Sequence, residues 1–311
     1  MAGDKRATRP GWATSPVLLG VALALAITAG AALGILIAAR AGMVSARIHA
    51  ARQVQDPVIL GGSSATTPGT SPVALPIVSG SGRRPHLSKR PPLPRWARAY
   101  RGVVVTGTVT TEREVALTID DVGAAQMRPL VDALVGARLH ATLFCIGSEM
   151  NERAAKYAVA NGMELGNHSW DHTSIAPIDA AHANRQIMMT ETLIHSATGV
   201  WPIWYRMPFQ SWGARGLKDV QAADMLAAGV SNNQQDYRGW TGPLLAYRIG
   251  ADLAPGQIIL LHALPGTIAT LPQISNELRL RHYRALELSS LAAKTRPALS
   301  TADLAALHSR P

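Results

Sequence analysis

From about residue 100 onwards, short apolar segments alternate with longer segments whose apolar residues recur every three or four positions. The short segments have the length of buried strands, and the longer ones have the periodicity of helices with one buried face. The predicted strands are EVALTI, HATLFCI, MELGNHS, IWYRM and QIILLH; the predicted helices are AQMRPLVDALVGA, NERAAKYAVANG and APIDAAHANRQIMMTETLIHSATG; GLKDVQAADMLAAG and PQISNELRLRHYRALELSSL continue the alternation. The third helix has Asp179 as a predicted N-cap and ends at Gly199. Alternation of this kind predicts a parallel α/β sheet or barrel, with chemistry expected where strands end.

The segment from Val17 to Ala39 differs from the rest, because its 23 residues include no charged side chain. As a helix rising roughly 1.5 Å per residue it would extend about 35 Å, enough to span the hydrocarbon core of a bilayer. A secretory signal usually has a shorter apolar region of about 7–15 residues, so an uncleaved anchor is favoured. Cleavage stays open as an alternative, since small residues crowd the end of the segment. Basic residues flank both ends, so their distribution does not set the orientation.

Residues 40–99 have the composition of a disordered linker, with Pro, Gly and Ser residues throughout. The linker ends in the basic sequence SGRRPHLSKRPPLPRWAR, which is either a solvated tether or a contact for anionic polymer or lipid. The predicted organisation is therefore a cytoplasmic tail over 1–16, a transmembrane anchor or signal over 17–39, the linker, a catalytic domain over 100–295 and a C-terminal tail over 296–311.

The net charge of +10 is concentrated in the leader and linker. Residues 1–101 hold 13 Lys/Arg against 2 Asp/Glu, whereas residues 102–311 hold 17 against 18. The globular part is thus close to neutral, which argues against a nucleic-acid partner. A single cysteine, Cys145, rules out an intramolecular disulfide, and its apolar surroundings predict a buried, inert thiol.

Polar residues with metal-binding or acid–base chemistry follow three of the predicted strands. Asp120 and Asp121 end one strand, His168 another and His262 a third. His168 and His172 are four residues apart, a spacing at which two imidazoles can share one cation, although such a pair can also be a surface polar patch. Adding an aspartate gives three protein ligands and an open position, as a catalytic zinc site requires. A zincin is excluded, because Ser169 stands where that motif needs glutamate.

Five short motifs in order resemble those of the NodB-type polysaccharide deacetylases, a family of metal-dependent carbohydrate esterases with a distorted (β/α) barrel. The motifs are TIDD at 118–121, HSWDH at 168–172, RMPF at 206–209, NNQQDY at 232–237 and LLH at 260–262. The resemblance covers roughly residues 112–291. It implies an α/β fold of the distorted (β/α) barrel type. The apolar segment and the composition described above place a single transmembrane helix and a disordered linker before this barrel.

The resemblance also implies a role for each motif residue. Asp121, His168 and His172 would hold one divalent metal ion, with zinc expected from the ligand types and cobalt, nickel or manganese as alternatives. Asp120 would be the general base, paired with and oriented by Arg206. His262 would be the general acid, with Asp236 holding its tautomer. The remaining expected site residues contact substrate: Phe209 through its backbone N–H at the oxyanion, and Leu260 and Trp240 as walls for the acetyl methyl or the sugar ring.

Four residues depart from the family pattern. Ile119 replaces a usual Phe, Gln210 follows Phe209 where Gly is common, Asn233 replaces the first Asp of the fourth motif, and Tyr237 replaces its Trp. The implied base, acid and three metal ligands are all present, so we expect activity to be retained.

The leading expectation is an enzyme that removes N-acetyl groups from an extracytoplasmic glycan. Peptidoglycan is the default substrate, chitin-like or other N-acetylhexosamine polymers come next, and cleavage of O-acetyl esters or small amides by the same site stays open. The expected partners are this glycan and the membrane, with the domain outside the cytoplasm, or secreted if the leader is cleaved. The alternative is a membrane-anchored glycan-binding or envelope-scaffold protein that keeps a metal site without turnover.

Overall fold

The structure is a computed structural model that describes residues 90–298. The predicted cytoplasmic tail, the apolar segment Val17 to Ala39 and most of the predicted linker lie outside the described residues, as do residues 299–311. Between residues 90 and 298, no helix has both the length and the apolar character needed to cross a membrane.

Most strands belong to one parallel sheet. The strands in chain order are β1 (Val104–Val105), β2 (Thr108–Val109), β3 (Glu114–Val122), β4 (Thr142–Cys145), β5 (Glu164–Asn167), β6 (Trp204–Tyr205), β7 (Leu226–Ala228), β8 (Asn232–Asn233), β9 (Ile258–His262), β10 (Arg284–Leu286) and β11 (Arg296–Pro297). The spatial order is β1-β7-β6-β5-β4-β3-β9-β8, and β10 also pairs with β3. Strands β2 and β11 form a separate antiparallel pair.

Helices connect the parallel strands, as the sequence pattern predicts. They are α1 (Ala124–Gly136), α2 (Glu152–Ala160), α3 (Ala180–Thr198), α4 (Gly213–Ala222), α5 (Gly242–Ala251), α6 (Pro265–Leu280) and α7 (Leu288–Ala292). The predicted boundaries of α3 are confirmed, since the Asp179 carboxylate accepts a hydrogen bond from the His182 N–H and Gly199 ends the helix with φ of 75°. The chain 272–291, which the sequence pattern leaves as one segment, contains the end of α6, then β10 and α7.

Strand β3 divides its side chains between two layers. Leu117 and Ile119 pack in the outer layer with Leu130 of α1 and Ile274 of α6. Ala116 belongs instead to an inner cluster. Since successive side chains point to opposite faces of a sheet, Thr118 and Asp120 share the inner face with Ala116. The strand therefore brings an acidic side chain to the inner face at its carboxyl end.

The sheet forms a half-barrel with an irregular seam. Between β7 and β8, the Gly229 N–H donates to Val105 O over 2.8 Å and the Ser231 N–H donates to Ile258 O over 3.1 Å. The same chain segment thus contacts β1 at one end of the spatial order and β9, the strand next to the other end. The predicted distorted (β/α) barrel is confirmed to the extent of this parallel half-barrel and its helices.

The amino end of the barrel is closed by residues that their composition assigns to the linker. Leu93 and Ala97 are buried in the inner cluster together with Tyr100 and Trp204. The Tyr100 hydroxyl donates a hydrogen bond to Ala292 O over 3.1 Å. The domain therefore begins before the predicted boundary at residue 100. Leu93 and Ala97 contribute apolar surface to the core, although the segment around them is rich in Pro and basic residues.

The N-terminal segment is also held by a basic residue of the predicted tether. The guanidinium of Arg90 pairs with the carboxylate of Glu191 on α3 and donates a hydrogen bond to Pro202 O over 2.7 Å. Part of the basic sequence is thus packed on the domain rather than free to contact polymer or lipid.

Replacement of Tyr100 measures how much this closure contributes to stability. Tyr100→Ala should lower the free energy of unfolding by about 3–5 kcal/mol, the usual cost of truncating a large buried aromatic side chain. Tyr100→Phe keeps the ring and removes the hydroxyl, so its loss should be about 1 kcal/mol. Urea unfolding of the three proteins measures both values. An unchanged stability for Tyr100→Ala would show that residues 93–100 are not part of the core.

Candidate active site

Two adjacent aspartates at the end of β3 point in different directions because the strand is irregular there. The pairing register between β3 and β4 shifts between Ile119 and Val122, and Asp121 has φ of 59°. Left-handed backbone is uncommon for a residue other than glycine. As a result the Asp120 carboxylate lies beside Arg206, whereas the Asp121 carboxylate lies beside His168 and His172.

His168 and His172 present their Nε2 atoms to Asp121. The Nδ1 atom of His168 lies 2.8 Å from Arg206 O, which accepts its hydrogen and so leaves Nε2 as the ligating nitrogen. The Oδ1 atom of Asp121 is 3.4 Å from His168 Nε2 and 3.1 Å from His172 Nε2. The predicted cluster of three ligands is therefore assembled, with all three ligand atoms within 4.8 Å of one another.

The chemistry of these three residues fits a divalent metal ion. The Asp121 side chain is 40 % exposed, yet its Oδ1 atom is buried and lacks a conventional hydrogen-bond donor. Burial alone would raise the pKa of Asp121, but the two imidazoles outweigh burial and hold that pKa well below its usual range. An ionised carboxylate beside two imidazole nitrogens is a donor set that suits zinc and other first-row divalent ions.

Arg206 lies inside the half-barrel with no exposed surface. Its Nη1 donates to Asp120 Oδ1 over 2.9 Å and to Thr118 Oγ1 over 2.6 Å, and its Nη2 donates to Gly229 O over 2.9 Å. The guanidinium carbon also lies 4.2 Å from the centre of the Phe144 ring. The predicted pairing of Arg206 with Asp120 is thus present. The other contacts hold the guanidinium in place, and the guanidinium in turn orients the Asp120 carboxylate.

His262 and Asp236 form a second hydrogen-bonded pair. The Nδ1–H of His262 donates to Asp236 Oδ1 over 2.7 Å, and the other oxygen of Asp236 accepts from the His262 N–H over 2.8 Å and from Thr267 Oγ1 over 2.7 Å. Burial alone would lower the pKa of His262, but the Asp236 carboxylate and the charges of Asp120 and Asp121 raise it above its ordinary value. The pair therefore favours an imidazolium whose Nε2–H is available.

The Asp/His/His cluster, Asp120 and His262 line a pocket of about 450 Å³ at the carboxyl edge of the sheet. Its lining consists of Asp120, Asp121, His168, His172, Phe209, Gln210, Asn233, Tyr237, Leu260 and His262. Phe209 is 75 % exposed and has φ of 60°, and its ring lies edge-on to His172 at 4.7 Å between centres. The Tyr237 ring lies 5.3 Å from the His262 ring.

The two side chains expected as substrate walls lie in different places. Leu260 lines the pocket, but Trp240 does not: its ring packs against the outer core and lies 5.0 Å from the guanidinium of Arg248. Tyr237 contributes the aromatic surface instead, because its ring, unlike that of Trp240, lies against His262. The sequence analysis did not assign Gln210 or Asn233 to the pocket. Their positions in the sequence could have indicated it, since Gln210 follows Phe209 and Asn233 lies within the fourth motif.

The sequence and the fold both resemble those of known carbohydrate deacetylases. The family model described as polysaccharide deacetylase matches residues 107–228. The chitooligosaccharide deacetylase of Sinorhizobium fredii is 30% identical over 155 residues, which cover 48% of this chain and 71% of the relative. The peptidoglycan-N-acetylglucosamine deacetylase PgdA of Listeria monocytogenes is 25% identical over 188 residues, and the match covers 58% of this chain but only 39% of that longer protein.

Two solved structures share the fold. A family 4 acetyl xylan esterase from Clostridium thermocellum, in complex with a cobalt ion, has a TM-score of 0.53 and 26% sequence identity, covering 57% of this chain and 89% of the esterase. A mutant of a carbohydrate esterase family 4 pseudoenzyme with restored enzymatic activity has a TM-score of 0.57 and 25% identity, covering 61% of this chain and 71% of that protein. The structural relatives thus include both an esterase and a pseudoenzyme.

A double-mutant cycle tests the coupling between Arg206 and Asp120. Arg206→Met should cost about 3–5 kcal/mol of unfolding free energy, because it leaves a buried carboxylate without its cation. Adding Asp120→Asn removes that unpaired charge, so the double variant should be less destabilised than the sum of the single variants. Denaturant unfolding of the four proteins gives the coupling energy. Strictly additive losses would contradict a direct interaction between the two side chains.

Proposed function

We propose that this chain, which belongs to the polysaccharide deacetylase family, is a metal-dependent hydrolase that removes N-acetyl groups from an extracytoplasmic glycan. The observation that carries the proposal is the convergence of an Asp/His/His ligand set with Asp120 and His262 in one pocket. A structural metal site would need neither an additional carboxylate nor an oriented imidazole beside it.

The chain's own residues supply the proton transfers of amide hydrolysis. A divalent cation held by Asp121, His168 and His172 would polarise the acetyl carbonyl and lower the pKa of a water molecule. Asp120, with one oxygen held by Arg206, accepts the proton of the attacking water. His262 then donates its Nε2 proton to the departing amine nitrogen, since its Nδ1–H is engaged by Asp236.

The pocket walls support a sugar as the substrate. Phe209 and Tyr237 present exposed aromatic surface in the pocket lining, and Leu260 offers an apolar contact for an acetyl methyl group. Aromatic faces combined with a few polar groups are typical of sites that orient a ligand by shape. With relatives named as peptidoglycan and chitooligosaccharide deacetylases, peptidoglycan is the first substrate to test, and chitin-like oligomers the second.

Zinc is the proposed metal, because two imidazoles and one carboxylate leave an open fourth position in a tetrahedral site. The cobalt ion in the related acetyl xylan esterase supports cobalt as a substitute.

The proposed location is the outer side of a cell membrane. An N-acetylated glycan polymer lies outside the cytoplasm, and the uncharged segment from Val17 to Ala39 has the length of a membrane anchor. In this arrangement residues 1–16 are cytoplasmic and the barrel is outside.

The second candidate is a glycan-binding scaffold that holds a metal without turnover. Asn233 and Tyr237 in the fourth motif and the likeness to a pseudoenzyme favour it. The hydrogen bonds between Asp236 and His262 favour the enzyme, because a scaffold has no need of a positioned acid. Bound metal without acetate release from any acetylated glycan would support the scaffold.

Exchange of each adjacent aspartate for asparagine tests the proposed roles. Asp120→Asn should retain metal and lose about 10²–10⁴-fold in rate, because it removes the general base. Asp121→Asn removes a charged ligand, so metal affinity should fall together with activity, and excess zinc should restore part of the activity. Metal content and acetate release from N-acetylglucosamine oligomers measure both effects.

The two variants are matched controls for one another, since each changes one carboxylate to an amide of the same size. Loss of metal in Asp120→Asn with retention in Asp121→Asn would reverse the assignment. Full activity in both would place the chemistry elsewhere.

The pH dependence tests His262 as the acid. Its pKa is raised above the ordinary value of about 6.5, and the acid works only when protonated. Activity should therefore persist past that pH and fall as the pH rises through the raised pKa. Asp236→Asn removes the carboxylate that raises the pKa of His262, and burial then lowers that pKa. The alkaline limit of activity should therefore move to lower pH, and the rate should fall.

Profiles of kcat/KM against pH compare the wild type with Asp236→Asn, and Thr267→Val is a control that removes only one hydrogen bond to Asp236. An alkaline limit that is the same in wild type and Asp236→Asn would assign that limit to another group.

A further inference from the structure

The loop that carries the two histidine ligands has a backbone conformation that needs external support. We name residues 168–172 the histidine loop. Within it Ser169 has φ of 65° and His172 has φ of 64°. Neither residue is glycine, and left-handed backbone of this kind persists only where the surrounding structure determines it. The position of His172 therefore depends on what holds the loop.

The carbonyl groups of the histidine loop are held mainly by the turn after β4. The Gly147 N–H donates to Ser169 O over 3.0 Å, and the Ser148 N–H donates to Trp170 O over 2.6 Å. A side chain at position 147 would collide with Thr190 and Trp170, since a Cβ there would lie 2.3 Å and 2.6 Å from their atoms. The glycine allows this close approach.

The N–H groups of the loop donate hydrogen bonds to side chains. One side chain of α3 accepts two of these hydrogen bonds. The Oε1 atom of Gln186 accepts hydrogen bonds from the Trp170 N–H over 2.9 Å and from the Asp171 N–H over 3.2 Å. One turn further along α3, Thr190 Oγ1 donates to Ser169 O over 2.8 Å. We name Gln186 and Thr190 the α3 clamp. The consecutive N–H groups of Trp170 and Asp171, between the two histidines, thus share the Gln186 side-chain oxygen as acceptor.

Hydrogen bonds to neighbouring strands hold His168 independently of the α3 clamp. The His168 N–H donates to Cys145 O over 3.0 Å and its Nδ1 is bound to Arg206 O. The α3 clamp acts on the residues between the two histidines. Loss of the clamp should therefore release His172 while His168 stays beside β4 and β6.

We propose that Gln186 is a positioning residue that sets the metal affinity of the site by fixing the histidine loop. The inference rests on the proposed function, because it requires His172 to be a metal ligand. Gln186 touches neither the pocket nor the ligand atoms, so it acts through the backbone N–H groups of Trp170 and Asp171 and through the Asp171 carboxylate, which lies beside its side chain. Groups that orient metal ligands in this way typically change affinity or activity by about 10–100-fold when they are removed.

The experiment compares three variants of the full chain. Gln186→Met keeps side-chain length and helix propensity but removes the acceptor, whereas Gln186→Glu keeps an oxygen that can accept both N–H groups. Arg185→Met is the matched control, since Arg185 is an exposed neighbour on the same helix. Zinc affinity is measured by competition with a chelator well below the melting temperature of each protein, without reference to activity.

The expected result is a loss of zinc affinity of about 10–100-fold in Gln186→Met, with a smaller loss in Gln186→Glu, whose carboxylate faces that of Asp171, and near wild-type affinity in Arg185→Met. Wild-type affinity in Gln186→Met, or equal weakening in Arg185→Met, would overturn the inference. If Gln186→Met does not unfold cooperatively, Gln186→Ala also removes the acceptor and keeps helix propensity, and unchanged affinity there would overturn it. Absence of zinc binding in the wild type would overturn the proposed function itself, and this inference with it.

Discussion

The buried guanidinium of Arg206 is the interaction on which the rest of the site depends. It connects β3, through Thr118 and Asp120, to the end of β7, through Ala228 O and Gly229 O. The carbonyl group of the same residue orients the imidazole of His168. Removing a charge of this kind from water is costly unless its hydrogen bonds are made. The fold meets that requirement with acceptors from two strands, and in doing so fixes a base and a metal ligand at the same point.

Several residues around the pocket are held in left-handed backbone conformations. In the described part of the chain they include Asp121, Ser169, His172, Phe209, Gln210 and Gln235. Each such conformation costs about 1–3 kcal/mol for a residue other than glycine, and the packed layers of the barrel offset this cost. The half-barrel therefore serves as a rigid support for short segments that would not adopt these conformations alone.

The sequence predicts the fold and the reacting groups well because both depend on short-range patterns. Apolar strands that end in Asp or His meet at one edge of a parallel sheet, so Asp120, Asp121, His168 and His262 can be brought together from the pattern. The pairing of Arg206 with Asp120 is implied only by the family motifs. The location of Trp240 cannot be predicted from the pattern, because the direction of a ring in a loop depends on its packing neighbours, here Arg248. The same holds for Gln186, whose position in α3 gives no sign that it binds the histidine loop.

The start of the domain is hard to place from sequence for a compositional reason. Leu93 and Ala97 lie among prolines and arginines, so their apolar surface does not form a recognisable periodic pattern. Only the inner cluster at the amino end of the barrel, which these residues cover, explains why they pack there.

Because of that packing, the N-terminal segment and the pocket lie at opposite ends of the barrel. The segment from residue 90 to Tyr100 joins the barrel beside Ala116, Trp204 and Ile258, which lie at or near the starts of their strands, and the pocket opens where β3 and β9 end. Attachment through the N-terminal side, whether to a fusion partner or to a solid support, therefore leaves the mouth of the pocket unobstructed.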